Sequence, residues 1–520
     1  MRQDEFYYLR TAKASDLKDK KERYLYRLFE ILPGFLSWAV LFLAVFFSWQ
    51  KPAWAAFFII AFVFYWFFRT MYLSFHLNAA YKRMKKYEKI DWLKKLKELK
   101  LEDQTLKTNW QEIYHLIVLP TYKESLEILR EAFISLLKSD YPKEKMIVVL
   151  ACEERAGEKA KKIAQTIEKE FGKRFFRFLT TFHPADLPGE IPGHGSNETW
   201  ALVKVKEMII DPLGIPYEKI IVSSFDADTQ VFPKYFSCLT WHYLTVPDPL
   251  HSSFQPIPFY FNNIWQAPLF SQVFSLSSSF WHTMNQERPE KLITFSSHAI
   301  PFKTMAEVGF KQTNVVSDDS RIFWQCFLKY DGNYKTVPLY YPVSMDANVA
   351  ENLLKTAINI YKQQKRWAYG VGEIPYFLFG FLKNKKIPLK KKILLTSELM
   401  GGHLSWAVVP IIIFLLGWLP VFLGGPQFTQ TLISYNLPRI TSRILTISMF
   451  GLLISIYLSY LLLPPKPIKY GKWKYLIIPL GWIFFPPMMI FFSALPALEA
   501  QTRWMLGKYL DFWPTEKVRK

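Results

Sequence analysis

Cysteine is nearly absent: Cys152, Cys238 and Cys326 are the only three in 520 residues. Their spacing fits no metal pattern and offers no obvious pairing. That excludes a disulfide framework and a cysteine zinc site, and it fits a reducing compartment. No two of the nine histidines form a His-x-x-x-His pair, so a histidine zinc site has no support either. Residues 1–30 are polar and mixed in charge, without the apolar core of a cleavable signal peptide. Acidic residues are also short, 44 against 65 lysines and arginines, which leaves a net charge of +21. Such a balance suits a protein pressed against an anionic leaflet or handling phosphates. Its other use, nucleic-acid binding, has no fingerprint here.

Apolar residues are plentiful. They make up 50% of the chain, and aromatics alone 18%. Ile31–Trp49 gives 19 uncharged residues and Pro52–Phe68 a further 17, with only Gln50 and Lys51 between them. Each run is about long enough to cross a ~30 Å hydrocarbon layer as a helix, so residues 31–75 read as a transmembrane hairpin. The lysine-rich stretch that follows, 76–111, reads as a juxtamembrane helix and marks its side as cytoplasmic. Farther on, Ile374–Leu382 is aromatic and Lys383–Lys392 carries six lysines and no acid, so 373–400 is expected to lie on the leaflet as an interfacial segment. Three apolar spans are expected within 401–500, about His403–Gly424, Ile444–Leu463 and Tyr475–Leu498. Lys466, Lys469, Lys472 and Lys474 form a basic loop between the last two. A basic tail, 501–520, closes the chain. Two spans before the soluble part and three after it would put that tail outside, against its charge. Pro486-Pro487 offers a way out by breaking the last span into a re-entrant hairpin.

Between these parts, residues 112–372 alternate short β-branched runs with helical periodicity, the pattern of an α/β domain with helices on both faces of a mixed sheet. His115–Leu119, Met146–Leu150, Phe175–Thr180 and Ile220–Phe225 are the predicted strands, and Pro184–Ser196, rich in proline and glycine, is a predicted loop. The run at Ile220 ends in Asp226-Ala-Asp228. Residues i and i+2 of an extended chain point the same way, so the two carboxylates can converge beyond the strand's carboxyl end, where open α/β sheets hold ligands. Two hard oxygen ligands there suit a divalent cation that already carries phosphates.

Further candidate residues follow a fixed order: Pro120-x-Tyr122-x-Glu124, then Glu153 and Glu154, Asp226 and Asp228, Ser317-Asp318-Asp319, and finally Gln363-Gln364-Lys365-Arg366-Trp367. In this order and beside membrane spans, the chain resembles the membrane-bound family-2 glycosyltransferases, the group that includes cellulose and hyaluronan synthases. The resemblance covers about 112–372 by motif. It implies a GT-A domain on the cytoplasmic face of the cell membrane, with Mg²⁺ or Mn²⁺ as cofactor. Asp226 would bind the nucleotide and Asp228 the metal. Asp319 would be the general base, and Thr121, Tyr122, Glu124, Glu153 and Arg366 would line the donor. Gln363, Trp367 and Asp318 would face the acceptor or product, and Phe295–Phe302 would line the acceptor site. A single carboxylate base in a direct displacement implies inversion at the anomeric carbon.

The sequence departs from the family in two places. Glu153 and Glu154 stand where an aspartate usually contacts the nucleobase, and the usual glycine–lysine element is here Gly193-His194-Gly195-Ser196-Asn197. The expected enzyme is a hexosyltransferase-like transferase that uses a nucleotide-sugar donor, UDP-linked or otherwise, and a growing glycan as acceptor. Other readings stay open. They are transfer of one sugar to a lipid carrier or glycolipid, an inactive scaffold of the same fold, and a transporter with a cytoplasmic domain. None of the clear spans carries an ionisable residue in its middle, which speaks against the transporter.

Overall fold

Eight strands form one mixed sheet in the computed structural model, which describes residues 6–465, 471, 474–513 and 519. The strands are β1 (Tyr114–Thr121), β2 (Met146–Glu153), β3 (Arg177–His183), β4 (Ile220–Ser224), β5 (Gln230–Val231), β6 (Ser252–Phe259), β7 (Ala299–Pro301) and β8 (Lys335–Ser344). Their order is β3-β2-β1-β4-β7-β6-β8-β5. β1 to β4 run parallel, and β7 lies antiparallel to both β4 and β6. β2 and β4 are buried along their whole length, as near-continuous apolar runs must be when helices cover both faces.

From β1 the chain first goes outward to β2 and β3, then returns to place β4 on the opposite side of β1. Loops leaving β1 and β4 therefore part, and a crevice opens at their carboxyl ends. Val118 pairs in register with Ser224, so Thr121 and Asp226 rise to about the same level at its mouth. The loop expected over Pro184–Ser196 ends sooner than predicted, because a helix starts at His194 and runs to Val205. Its Asn197 amide donates to the Ala151 carbonyl of β2 at 2.7 Å, which ties the helix start to the sheet.

Among the described residues, three helices are long and apolar enough to cross a membrane: Lys20–Gln50, Pro52–Lys89 and Leu389–Phe414. The first two pack against each other, joined at Lys51. The second is a single 38-residue helix that continues into the lysine-rich stretch, so no boundary falls at residue 75. Their outward faces carry Phe42, Trp54, Phe57 and Phe68, all exposed.

Two expectations are corrected. The span at His403–Gly424 begins earlier, at Leu389, and stops at Phe414. The aromatic stretch 374–382 does not present its rings outward. Ile374, Tyr376, Phe377, Phe379 and Phe381 are all buried within the helix Glu373–Lys383, against the helix Asp318–Lys329. Its neighbouring lysines serve the same fold: Lys391 and Lys392 donate to the carbonyls of Gly332 and Asn384, and Lys386 pairs with Asp331.

The last apolar stretch breaks at Phe484, just before Pro486-Pro487, into Lys474–Ile483 and Phe485–Met489. It continues after a π-turn as Leu495–Leu506. That final helix packs back against the α/β domain, where the Trp504 indole donates to the Tyr369 carbonyl at 3.3 Å. Lys466, Lys469, Lys472, Lys517 and Lys520 lie outside the described residues. All three cysteines are buried and free.

Candidate functional site

Several separate stretches meet at the crevice. β4 delivers Asp226 and Asp228 on a tight turn closed by the Thr229 amide on the Asp226 carbonyl, 2.9 Å. Asp226 is partly exposed, and its Oδ2 accepts from the Ser296 hydroxyl at 2.8 Å. Ser296 sits in the Phe295–Phe302 segment. Asp228 is fully buried, and its Oδ2 accepts from the backbone amide of Asp346 at 2.8 Å.

The helix Asp318–Lys329 opens with Asp318 and Asp319 in its first turn, where the helix dipole favours acids. The two then differ. Asp318 turns inward, 4% exposed, and accepts from His194 Nδ1 at 2.9 Å and from Lys311 at 3.0 Å. Asp319 stays half-buried at the crevice, 3.0 Å from the same lysine.

Lys311 is itself buried, and its ammonium gives its three hydrogens to Glu198 (2.7 Å), Asp318 and Asp319. Burial works against that charge, but the three carboxylates outweigh it and hold the lysine's pKa well above its ordinary value. His194 is governed in the same way. Burial opposes the charged ring, yet the charge and hydrogen bond of Asp318 raise its pKa to about 10. Its Nε2 lies 3.6 Å from Asp226 Oδ1. His194 thus stands between the Asp226 turn and the Asp318 helix. Gly195 permits this, since a Cβ there would fall 2.7 Å from Cβ of Asp318.

At the end of β1, Glu124 is taken up by the turn, accepting from the Thr121 hydroxyl (2.8 Å) and the Tyr122 amide (2.7 Å). Glu153 ends β2, 6% exposed and paired with Arg155, whose guanidinium lies 4.6 Å from the Tyr122 ring centroid. Glu154 points to solvent. Of the two acids left open by the sequence, only Glu153 faces the sheet edge.

On the far side, the helix Leu353–Ala368 carries Gln363, Arg366 and Trp367. Gln363 and Trp367 line a recess with Tyr260, Ser271, Ser275 and Asn348, floored by Asp346. Trp367 and Tyr260 have ring centroids 6.1 Å apart, and Asn348 donates to Gln363 at 3.3 Å. A more open cleft, lined by Lys206, Tyr217, Glu218, Lys303 and Glu307, lies at the opposite end of β4 and gathers none of these groups.

Two groups of acids bear on a metal. His194, Asp318 and Asp319 have ligand atoms within 4.8 Å of one another. However, the Lys311 ammonium already stands 3.0 Å from both carboxylates, so a second cation there would meet it. Asp226 and Asp228 offer carboxylate oxygens, the donor set that suits Mg²⁺ or Mn²⁺.

His194, Glu198, Lys311, Ser296 and Asp346 were not singled out as site residues by the sequence. Two of them left a signal: His194 lies in the Gly193–Asn197 departure, and Ser296 within the Phe295–Phe302 segment.

No protein-family model and no curated protein matches this chain. Among solved structures it is similar to the mannosyltransferase PcManGT of Pyrobaculum calidifontis in complex with GDP-Man and Mn²⁺, at 13% identity over 77% of this chain and 99% of that one, with a TM-score of 0.40. It is also similar to residues 1–349 of S. aureus TarS in complex with UDP, at 11% identity over 76% and 93% of the two chains, TM-score 0.34. A third likeness is GalNAc-T7 with UDP, GalNAc and Mn²⁺, at 10% identity over 58% of each chain, TM-score 0.31.

Proposed function

We propose that this chain is an integral-membrane, metal-dependent, inverting glycosyltransferase of the family-2 type. In this reading it moves a sugar from a nucleotide-sugar donor to a hydroxyl of a growing glycan on the cytoplasmic face of the cell membrane. The observation that supports this most is the convergence of Asp226 and Asp228, Asp319, and the Gln363–Trp367 helix on one crevice at the carboxyl ends of β1 and β4. A divalent cation held by Asp228 would supply Lewis-acid neutralisation of the leaving diphosphate.

The chain's own groups do the rest. Asp319 keeps a carboxylate at the crevice, poised to take the proton of an attacking hydroxyl, with Lys311 and the nearby His298 fixing its orientation. Trp367 and Tyr260 bring flat apolar faces, and Gln363 and Asn348 a hydrogen-bonded polar pair, to a recess of about 10 Å³ that would have to widen to admit an acceptor sugar. Arg366 presents a planar fork suited to diphosphate oxygens. The apolar helices 20–50, 52–89 and 389–414 would hold the domain at the bilayer.

A second reading, transfer of one sugar to a lipid-linked acceptor, is favoured by one feature. The recess wall Leu269–Asn285 carries Ser271 and Ser275, and it also packs against the apolar helix Lys474–Ile483, where Gly481 lets Leu269 and Val273 come close. Product length separates the two.

Nucleotide release by the purified protein in lipid, across a panel of nucleotide sugars with Mg²⁺ or Mn²⁺, tests the proposal. Release from one donor, with the product's anomeric centre inverted by NMR, is expected. A folded protein silent across the panel with both acceptor classes supplied would sink it.

A further inference from the structure

The recess beside Trp367 presents hydrogen-bond acceptors. Asp346, 5% exposed, and Asn348, 7% exposed, both line it. The Asn348 amide donates to Gln363, but its Oδ1 is buried with no partner among the described residues. Buried polar atoms are nearly always satisfied, so an acceptor left open in a recess calls for a ligand that donates. Among the described residues, no lysine, arginine or histidine lines the recess.

Asp346 is held from outside. Its Oδ1 accepts from the Asn262 amide at 3.0 Å and from Nη2 of Arg519 at 2.8 Å. Its Oδ2 accepts from Nε of Arg519 at 3.1 Å and, among the described residues, from nothing else. The third arm of Arg519 goes to Glu131. Only 8% of the Arg519 side chain is exposed, so this charge of the basic tail is spent on the recess floor and not on a leaflet.

The tail that brings Arg519 here is anchored first. Beyond the helix Leu495–Leu506 the chain turns at Gly507 (φ 68°). It is pinned by Tyr509 on Glu30 (2.9 Å) and by the Leu510 amide on the Tyr369 hydroxyl (3.0 Å). Phe512 then lies against Gly193, 5.0 Å from the Arg366 guanidinium carbon. Arg519 is therefore a tethered group, and a short tether gives an effective concentration of order millimolar. That keeps the contact with Asp346 made, yet lets a ligand of the recess compete for the same carboxylate.

We propose that Asp346 and Asn348 are binding residues for a neutral acceptor sugar, whose hydroxyls donate to Oδ2 and Oδ1, and that Arg519 is the tethered competitor the acceptor displaces. The inference rests on the glycosyltransferase reading above and deepens it by setting the acceptor's class. A hydroxyl can take the guanidinium's place on Oδ2, in a charge-assisted hydrogen bond that keeps the carboxylate satisfied. A uronate cannot, because its own carboxylate would meet Asp346 without the cation that now neutralises it.

Titration calorimetry of the full-length protein in lipid nanodiscs tests this, with cellotetraose, maltotetraose, laminaritetraose and chitotetraose as neutral probes and tetragalacturonate as the anionic one. Apparent affinity falls with the fraction of sites free to bind, so a neutral probe should bind Arg519→Ala about three- to tenfold more tightly than wild type. The uronate should gain nothing. Adding Asp346→Asn to Arg519→Ala should forfeit most of the gain. Asn262 would hold the carbonyl side of that amide, which leaves an NH₂ where Oδ2 now accepts. Arg519→Met replaces the alanine variant should the latter lose the wild-type melting temperature. Equal neutral-probe affinity in wild type and Arg519 variant, or a uronate that gains as much, would overturn the proposal. Silence of both proteins toward every probe would overturn it too. If that preparation still releases nucleotide, the glycosyltransferase reading survives the loss; if it releases none, both fall.

Discussion

Arg321 and Arg366 lie on two helices that border the same crevice, and the contrast between them separates structure from site. Arg321 is 1% exposed and every arm is used. Nε donates to Glu373 at 2.6 Å, Nη1 to Gln312 at 2.8 Å and Nη2 to the Gly372 carbonyl at 3.3 Å, while Tyr376 lies under the guanidinium. Its partner is closed as well, since Glu373 also accepts from Ser317 at 3.0 Å. Arg366 is less buried and less complete: its Nε is unpartnered, and an aromatic ring is its close neighbour. Burial of charge is common to both. At the crevice, Nε of Arg366 and Nε2 of His194 have no hydrogen-bond partner among the described residues, whereas Arg321 and Lys311 have every arm engaged.

The largest expected effect falls on the closed side. Arg321→Ala leaves Glu373 buried and uncompensated, and should cost about 3–5 kcal/mol of stability. Thermal or denaturant unfolding checks this. A double change to Arg321→Met with Glu373→Gln should recover part of the loss, and an undiminished loss would mean that the pair is not the reason.

At the crevice, Asp228→Ala should leave melting far less affected yet weaken metal-dependent donor binding by about tenfold or more, about 1.4 kcal/mol. Calorimetry with and without Mn²⁺ reads this. Donor affinity that depends on the metal as before would remove Asp228 from the metal site.

A smaller effect comes from a third kind of buried group, neutral rather than charged. His115 is fully buried on β1 with Nε2 on the Thr240 hydroxyl at 2.8 Å, and burial alone lowers its pKa to about 3. A base whose folded pKa is depressed contributes stability above its unfolded value, about 6.5, and that stability is lost as the pH falls towards 3. Melting temperature should therefore fall steadily below about pH 6.5, and His115→Phe should flatten part of that slope. His194 has the opposite sign: its stabilisation is present below about 6.5 and lost as the pH rises through about 10.

These contrasts also show why only part of the molecule was legible in the sequence. β1, β2 and β4 are buried on both faces, so each carries a short apolar run (Leu116–Leu119, Met146–Ala151, Ile220–Val222) that stands out. Asp226 and Asp228 could be read because they follow directly from such a strand. Lys311 could not, for nothing local distinguishes a lysine that turns inward from one that faces water; its role depends on Glu198, Asp318 and Asp319 arriving from other stretches. The aromatic run 374–382 misled for the converse reason. Rings that pack against the Asp318 helix have the same composition as rings that meet lipid. Phe512 was hidden too, in a tail read only for its charge, because its contact with Gly193 spans more than three hundred residues of chain.

The central claim is that Asp319 acts as base in a crevice whose donor half is built by other residues. The direct measurement is to follow transfer and donor binding side by side in wild type and Asp319→Asn. Transfer should fall by about 10²–10⁴-fold in the variant, with donor affinity close to wild type. A folded Asp319→Asn protein that still transfers sugar, or one that has lost its donor, would contradict it.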